Sequence, residues 1–210
     1  MLLHYGKVET ARLAAADPVL GAAIGRIGPI ERQAMPDLFE ALINSIAGQQ
    51  ISGRALETVW ARLCGKTGPV TPESLLALGG DELRACGLSG RKAGYMLAAA
   101  QAVQSGALDI HSFVDKPDEQ VVRELTALPG VGRWTAEMLL IFSLRRPDVL
   151  SCGDFGIRKG LRMLYGLPEI EKARFETFRK KYSPDGTAAS LYLWAIAGGA
   201  LPELSDPAGR

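Results

Sequence analysis

Apolar residues recur every three or four positions along most of this chain, and the alternating pattern of a half-buried strand is nearly absent. Residues 91–103 are typical, with Ala93, Met96, Leu97, Ala100 and Val103 lining one stripe of a helix. Glycine and proline interrupt the pattern at Gly28-Pro29, residues 65–72, Gly79-Gly80, residues 87–90, Gly106, Pro117, residues 129–132, Gly153, residues 166–168 and residues 183–186. Periodicity and punctuation together predict an all-α fold of roughly ten short helices. Several starts carry their own signals. Thr71 precedes Pro72 as an N-cap before a proline at the first helical position, and Ser89 stands ready to cap the long helix beyond it.

With 210 residues and 47% hydrophobic content, the chain can bury a sizeable core as one large domain or two small, intimately packed ones. No apolar run reaches 18 residues, and Lys7, Glu9 and Arg12 break the N-terminus early, so neither a membrane span nor a secretion signal is expected and the cytoplasm is the default compartment. The three cysteines, Cys64, Cys86 and Cys152, are odd in number and widely scattered, which excludes a disulfide framework or four-cysteine cluster and predicts reduced, buried thiols. A net charge of +1 excludes a polybasic binder and makes the placement of charge matter more than its total. The polar tail at 206–210 is expected to fray.

Residues 128–136, Leu-Pro-Gly-Val-Gly-Arg-Trp-Thr-Ala, stand apart. Gly130 and Gly132 bracket one apolar residue, allowing a tight turn whose N–H groups stay open to a phosphate. The helix expected to open at about Gly132, with Trp134, Met138, Ile141 and Phe142 on one face, adds its positive end to the same spot. On this stretch alone, an ordinary corner between two helices is an equal alternative.

Residues 128–136, followed by Asp154 22 positions beyond Gly132, resemble the helix-hairpin-helix (HhH-GPD) DNA glycosylase superfamily, and within it the 3-methyladenine DNA glycosylase II branch most closely. The likeness runs from about Asp37 through Trp194, with three motifs in the expected order. It implies two helical subdomains with a helix-hairpin-helix motif and a DNA-binding cleft between them. The segment 1–35 would pack with the C-terminal subdomain 146–210, which carries the catalytic Asp, while 36–145 would hold the wedge loop and hairpin. The N-terminal β-containing domain of larger members is not expected. The implied function is a monofunctional glycosylase, a monomer acting on double-stranded DNA in the nucleoid. It would flip out alkylated bases of the 3-methyladenine and 7-methylguanine type and hydrolyse the N-glycosidic bond in base excision repair.

The resemblance assigns catalysis to Asp154, which sits in Ser-Cys-Gly-Asp-Phe-Gly at 151–156. As a residue it also reads as a helix N-cap, and the two roles are compatible. A carboxylate at a helix start favours its ionised form, which can offset positive charge on a departing sugar or orient the attacking water. Trp134 occupies the position where bifunctional relatives carry a nucleophilic lysine, so no lyase step is expected. Only Cys152 lies in the C-terminal third, so no iron–sulfur cluster is expected either. Trp134 and Trp194 are candidates for the base pocket, since indole faces attract a cationic, electron-poor ring; core packing is the alternative. Ser45–Ser52 resembles the wedge loop, with Gln50 at the plugging position and Ile51 as the other choice. One member of that family is apolar there, and a Ser52-capped helix start is the plain alternative.

Gly130, Gly132, Arg133, Arg91 and Lys92 match phosphate-binding positions, and Arg145, Arg146, Arg158 and Lys159 flank the expected active site. Lys172 to Lys181 alternates with Glu171, Glu176 and aromatics, predicting a solvated helix face. The backbone carbonyls of Thr126, Leu128 and Val131 match positions that hold a monovalent cation, Na+ or K+; no other cofactor is implied. Two rival functions remain at this level. One is removal of uracil or mismatched bases on the same fold, which the tryptophans disfavour. The other is a non-catalytic DNA-gripping module, which has no use for a carboxylate that repels phosphate.

Overall fold

A computed structural model describes Leu3 and residues 5–209. Among the described residues it contains eleven α-helices, one short 3-10 turn at His111–Asp115 and no β-strand. The helices are α1 (Lys7–Ala16), α2 (Pro18–Ile27), α3 (Leu38–Gly48), α4 (Gly53–Thr67), α5 (Pro72–Ala85), α6 (Gly90–Gln104), α7 (Asp118–Thr126), α8 (Arg133–Phe142), α9 (Phe155–Tyr165), α10 (Lys172–Tyr182) and α11 (Gly186–Ala197). The all-α expectation holds, and the local start signals act as read. Thr71 and Ser74 exchange hydrogen bonds at the head of α5, and the Ser89 hydroxyl accepts the Lys92 amide at 3.3 Å at the head of α6. The Gly79-Gly80 break appears as a kink inside α5, where Gly79 is the non-helical residue.

Two compact units make up the chain: Met1–Ala34 with Arg145–Arg210, and Met35–Leu144. In the second, α3 packs against α4, α6 and α8, while α5 joins α4 to α6 and α7 lies on α8. Leu42, Ile43, Ile46, Leu63, Leu75, Leu83, Met96, Phe113, Leu125 and Ile141 are fully buried there. Helix α8 is buried from Thr135 to Ile141 on nearly all sides, but Trp134 points outward at 43% exposure, which corrects the expected single face of Trp134, Met138, Ile141 and Phe142.

In the first unit α1 packs on α2, α9 pairs with α11, and α10 docks against α1 and α11. Phe175, Phe178 and Tyr182 of α10 enter the core alongside Leu13, Leu161 and Tyr192, leaving Lys172, Arg174 and Lys180 exposed as expected. Two expectations are corrected. Cys86 is buried, but Cys64 and Cys152 are only half-buried, all three being free thiols. The tail is anchored at Asp206, whose carboxylate accepts two hydrogen bonds from the Arg162 guanidinium at 2.8 and 2.5 Å; Arg210 lies outside the described residues. Among the described residues no helix is long and apolar enough to cross a membrane.

Asp17 holds three elements of this unit together. One carboxylate oxygen caps α2 by accepting the Val19 and Leu20 amides, at 3.1 and 3.2 Å. The other accepts from the Tyr165 hydroxyl, from the Lys181 ammonium at 3.0 Å and from the Tyr182 hydroxyl at 3.3 Å. Burial alone would raise this carboxyl, but the Tyr165 and Lys181 donors outweigh it and hold it below the ordinary 3.8. A depressed folded-state value contributes stability above the unfolded pKa and loses it as pH falls through the folded one. Asp17→Ala should therefore cost about 2–4 kcal/mol at neutral pH, from a lost cap, a lost ion pair with Lys181 and a tyrosine hydroxyl left without an acceptor, since Tyr165 and Tyr182 can still bond each other. Chemical denaturation should show the gap to wild type narrowing below about pH 4, and a gap that stays constant from pH 7 to 3 would disprove the account.

Candidate active site

Asp154 is the N-cap of α9 and only 6% exposed. Its Oδ1 accepts the Ile157 amide at 2.8 Å and the Trp194 indole N–H, also at 2.8 Å. Trp194 comes from α11, the neighbour of α9, so one carboxylate oxygen is fixed by donors from two helices. Gly156 makes the approach possible, since a Cβ there would fall 2.7 Å from Cδ1 of Trp194. The sequence pointed to Asp154 and Trp194 separately, and the structure brings them into direct contact. Their bond, across 40 positions, left only the small residue at 156 as a local trace. Phe155, missed from the sequence, stands 72% exposed beside Asp154, with the Arg162 guanidinium 5.8 Å above its ring. A buried carboxylate held in one orientation suits stabilising a cation that forms next to it or aligning a water molecule.

The basic flank of this site is partly structural. Arg158 donates to the Ile170 carbonyl at 2.5 Å, bracing the loop beyond α9, and the Arg146 carbonyl accepts the Thr187 hydroxyl at 2.6 Å. Lys159 is half-buried on α9, and Arg145 adopts a left-handed φ of 55°.

The remaining candidates lie in the other unit. Residues 49–52 join α3 to α4 in a tight turn closed by the Ile51 amide on the Gly48 carbonyl at 3.4 Å. Gln50 is exposed at a left-handed φ of 57°, Ile51 is 37% exposed, and the Ser52 hydroxyl caps α4 through the Ala55 amide at 3.3 Å. Thus the capped helix start and the outward pair of side chains coexist.

Between α7 and α8 the hairpin forms as expected, with Gly130 at φ 78° and Gly132 as the N-cap of α8. Only glycine fits at 130, because a Cβ would meet Cδ2 of Tyr95 at 2.1 Å. Not every hairpin amide is open, which corrects the expectation: the Val131 N–H closes the turn on the Leu128 carbonyl at 3.2 Å. Gly132 supplies no capping side chain, so an anion would meet the first-turn amides of α8.

The cations near this hairpin are engaged by the fold. Arg133 donates from Nε to Glu137 at 2.8 Å and from both terminal nitrogens to Glu119 at 2.6 and 3.2 Å, bonds that raise its pKa further above the ordinary value. Lys92 turns its ammonium to the Ala47 carbonyl at 2.8 Å, and burial lowers its pKa. Arg91 is exposed at the head of α6, and Trp134 stands in the first turn of α8, in a different unit from Asp154 and Trp194. Thr126 ends α7, and Leu128 and Val131 follow it in the turn, where the Leu128 carbonyl already accepts the Val131 N–H.

Comparison with known proteins identifies the family. The model of the HhH-GPD superfamily of base excision DNA repair proteins matches residues 43–184. DNA-3-methyladenine glycosylase 1 of Schizosaccharomyces pombe is 34% identical over 176 residues, covering 81% of this chain and 77% of that protein. The crystal structure of DNA-3-methyladenine glycosidase from Bacillus halodurans superposes with a TM-score of 0.85 at 34% identity, covering 97% of this chain and 95% of that one. The Schizosaccharomyces pombe 3-methyladenine DNA glycosylase in complex with abasic DNA gives a TM-score of 0.80 at 32% identity, over 90% of this chain and 96% of that one. Since the family match spans the 49–52 turn, the hairpin and Asp154 alike, the chain belongs to the HhH-GPD superfamily of base excision DNA repair proteins.

Proposed function

We propose that this protein is a monofunctional DNA glycosylase that releases alkylated purines, of the 3-methyladenine and 7-methylguanine type, from duplex DNA by hydrolysing the N-glycosidic bond. The observation that carries this reading is the buried Asp154 carboxylate, fixed at Oδ1 by the Ile157 amide and the Trp194 indole. As the base departs, positive charge grows on the deoxyribose, and a preorganised carboxylate offsets it without reorganising. The same group can orient the water that attacks the sugar carbon and accept its proton. An alkylated purine is already cationic and leaves readily, so a strong general acid is not required. The names of the relatives point to the same substrate class.

Other residues take supporting roles in this reading. Trp194 acts on catalysis through Asp154, by aiming the carboxylate. Trp134, exposed in the first turn of α8, presents an indole face on which an electron-poor base can stack, worth about 0.5–2 kcal/mol. Gly130, Gly132 and the first-turn amides of α8 grip a phosphate. Carbonyls of Thr126, Leu128 and Val131 would hold a monovalent cation, which when bound adds positive charge beside that phosphate. Gln50 or Ile51 fills the gap left by the flipped base.

Asp154→Asn should keep its affinity for an abasic duplex yet release 7-methylguanine about 10²–10³-fold more slowly, the usual scale for losing one preorganised electrostatic group. Chromatography of the freed base decides, and near-normal release would remove Asp154 from catalysis. Trp194→Phe keeps the ring but loses the N–H, so kcat should fall about tenfold, one hydrogen bond to a charged group, with KM little changed; a rise in KM alone would make Trp194 a binding residue instead. Wild-type protein should leave an intact abasic strand that breaks only in hot alkali, and borohydride should trap no covalent adduct, because Trp134 has no amine. A trapped adduct would overturn the monofunctional assignment.

A further inference from the structure

We propose that Gln49 is a positioning residue that sets the register of the 49–52 wedge turn against the phosphate-gripping hairpin. This inference rests on the function proposed above. Its side-chain Nε2 donates to the Gly130 carbonyl at 2.9 Å, joining two loops 81 positions apart. The Gly130–Val131 peptide is then held at both ends, its carbonyl by Gln49 and its N–H by the Leu128 carbonyl. Helix α6 braces both loops from behind. Its Tyr95 ring lies against Gly130, and its Lys92 ammonium bonds the Ala47 carbonyl in the last turn of α3, just before the wedge turn.

The geometry of Gln50 makes the tether consequential. A non-glycine residue at φ 57° carries a cost of roughly 1 kcal/mol, and it persists only where its surroundings fix the backbone. Fixed neighbours do so here: Gly48 and Ile51 close the turn, and Gln49 anchors it to the hairpin. Gln50 and Ile51 are therefore presented at a set distance from the hairpin. In a duplex, the gripped phosphate and the gap left by a flipped nucleotide are also at a set spacing. A wedge free to drift would lose its effective concentration at the gap while the phosphate grip stayed whole.

The test uses the full chain with Gln49→Met, which keeps length but removes the donor, and Gln49→Lys, which restores a donor of similar reach. The probe is a duplex carrying 7-methylguanine next to 2-aminopurine, whose fluorescence reports unstacking. For Gln49→Met, the unstacking amplitude and single-turnover base release should fall about 3- to 10-fold, the scale of one hydrogen bond. Affinity and salt slope on undamaged duplex should stay within about twofold of wild type, and Gln49→Lys should recover most of the signal. The inference is overturned if Gln49→Met unstacks and releases like wild type, if its undamaged-duplex affinity falls in proportion, or if Gln49→Lys is equally impaired. Wild-type protein that neither unstacks nor releases the base would instead bring down the proposed function itself.

Discussion

The meeting of the Ile157 amide and the Trp194 indole on Oδ1 of Asp154 is the interaction on which the candidate site in the first unit depends. A carboxylate at 6% exposure has given up much of its hydration, and donors plus the positive end of α9 must replace it. The amide comes from the helix that Asp154 itself caps, so that half is local. The indole comes from α11, so that half exists only when α9 and α11 pack. Orientation of the acid is thereby made conditional on a folded core, which keeps the group from sampling the rotamers of an exposed side chain.

Asp17 gives an instructive contrast within the same unit. It too is a buried aspartate at a helix N-cap, and its second oxygen takes two tyrosine hydroxyls and a lysine ammonium from α9 and α10. Such a carboxylate is enclosed by the fold's own hydroxyls and ammonium. Capping geometry alone therefore does not separate a structural aspartate from a candidate catalytic one.

What was legible in the sequence follows the range of the forces involved. Helix existence, the caps at Thr71 and Ser89, the turn at Gly130 and the cap at Asp154 depend on residues within a few positions, and each could be read directly. Trp194 was legible as an aromatic in a resembling position, but its hydrogen bond spans 40 positions and has no periodic signature. Tyr95 beneath Gly130 escaped notice for the same reason. Charge was the least readable. Lys92 and Arg133 resembled phosphate contacts by position, yet two of the partners that engage them, Ala47 and Glu119, are set by how α3, α6, α7 and α8 pack, and only Glu137, four positions beyond Arg133 on α8, is local. A sequence shows where a cation is and not what it faces.

The pairing of Arg133 with Glu119 and Glu137 also bears on the salt dependence that the proposed phosphate grip would show. With its guanidinium countered by two carboxylates, the hairpin offers an incoming phosphate chiefly neutral amides and a helix end, whose partial charges displace fewer counterions than bare cations would. A grip of that kind would weaken little as salt rises. For a chain of net charge +1, the affinity of such a grip would rest on geometry more than on counterion release.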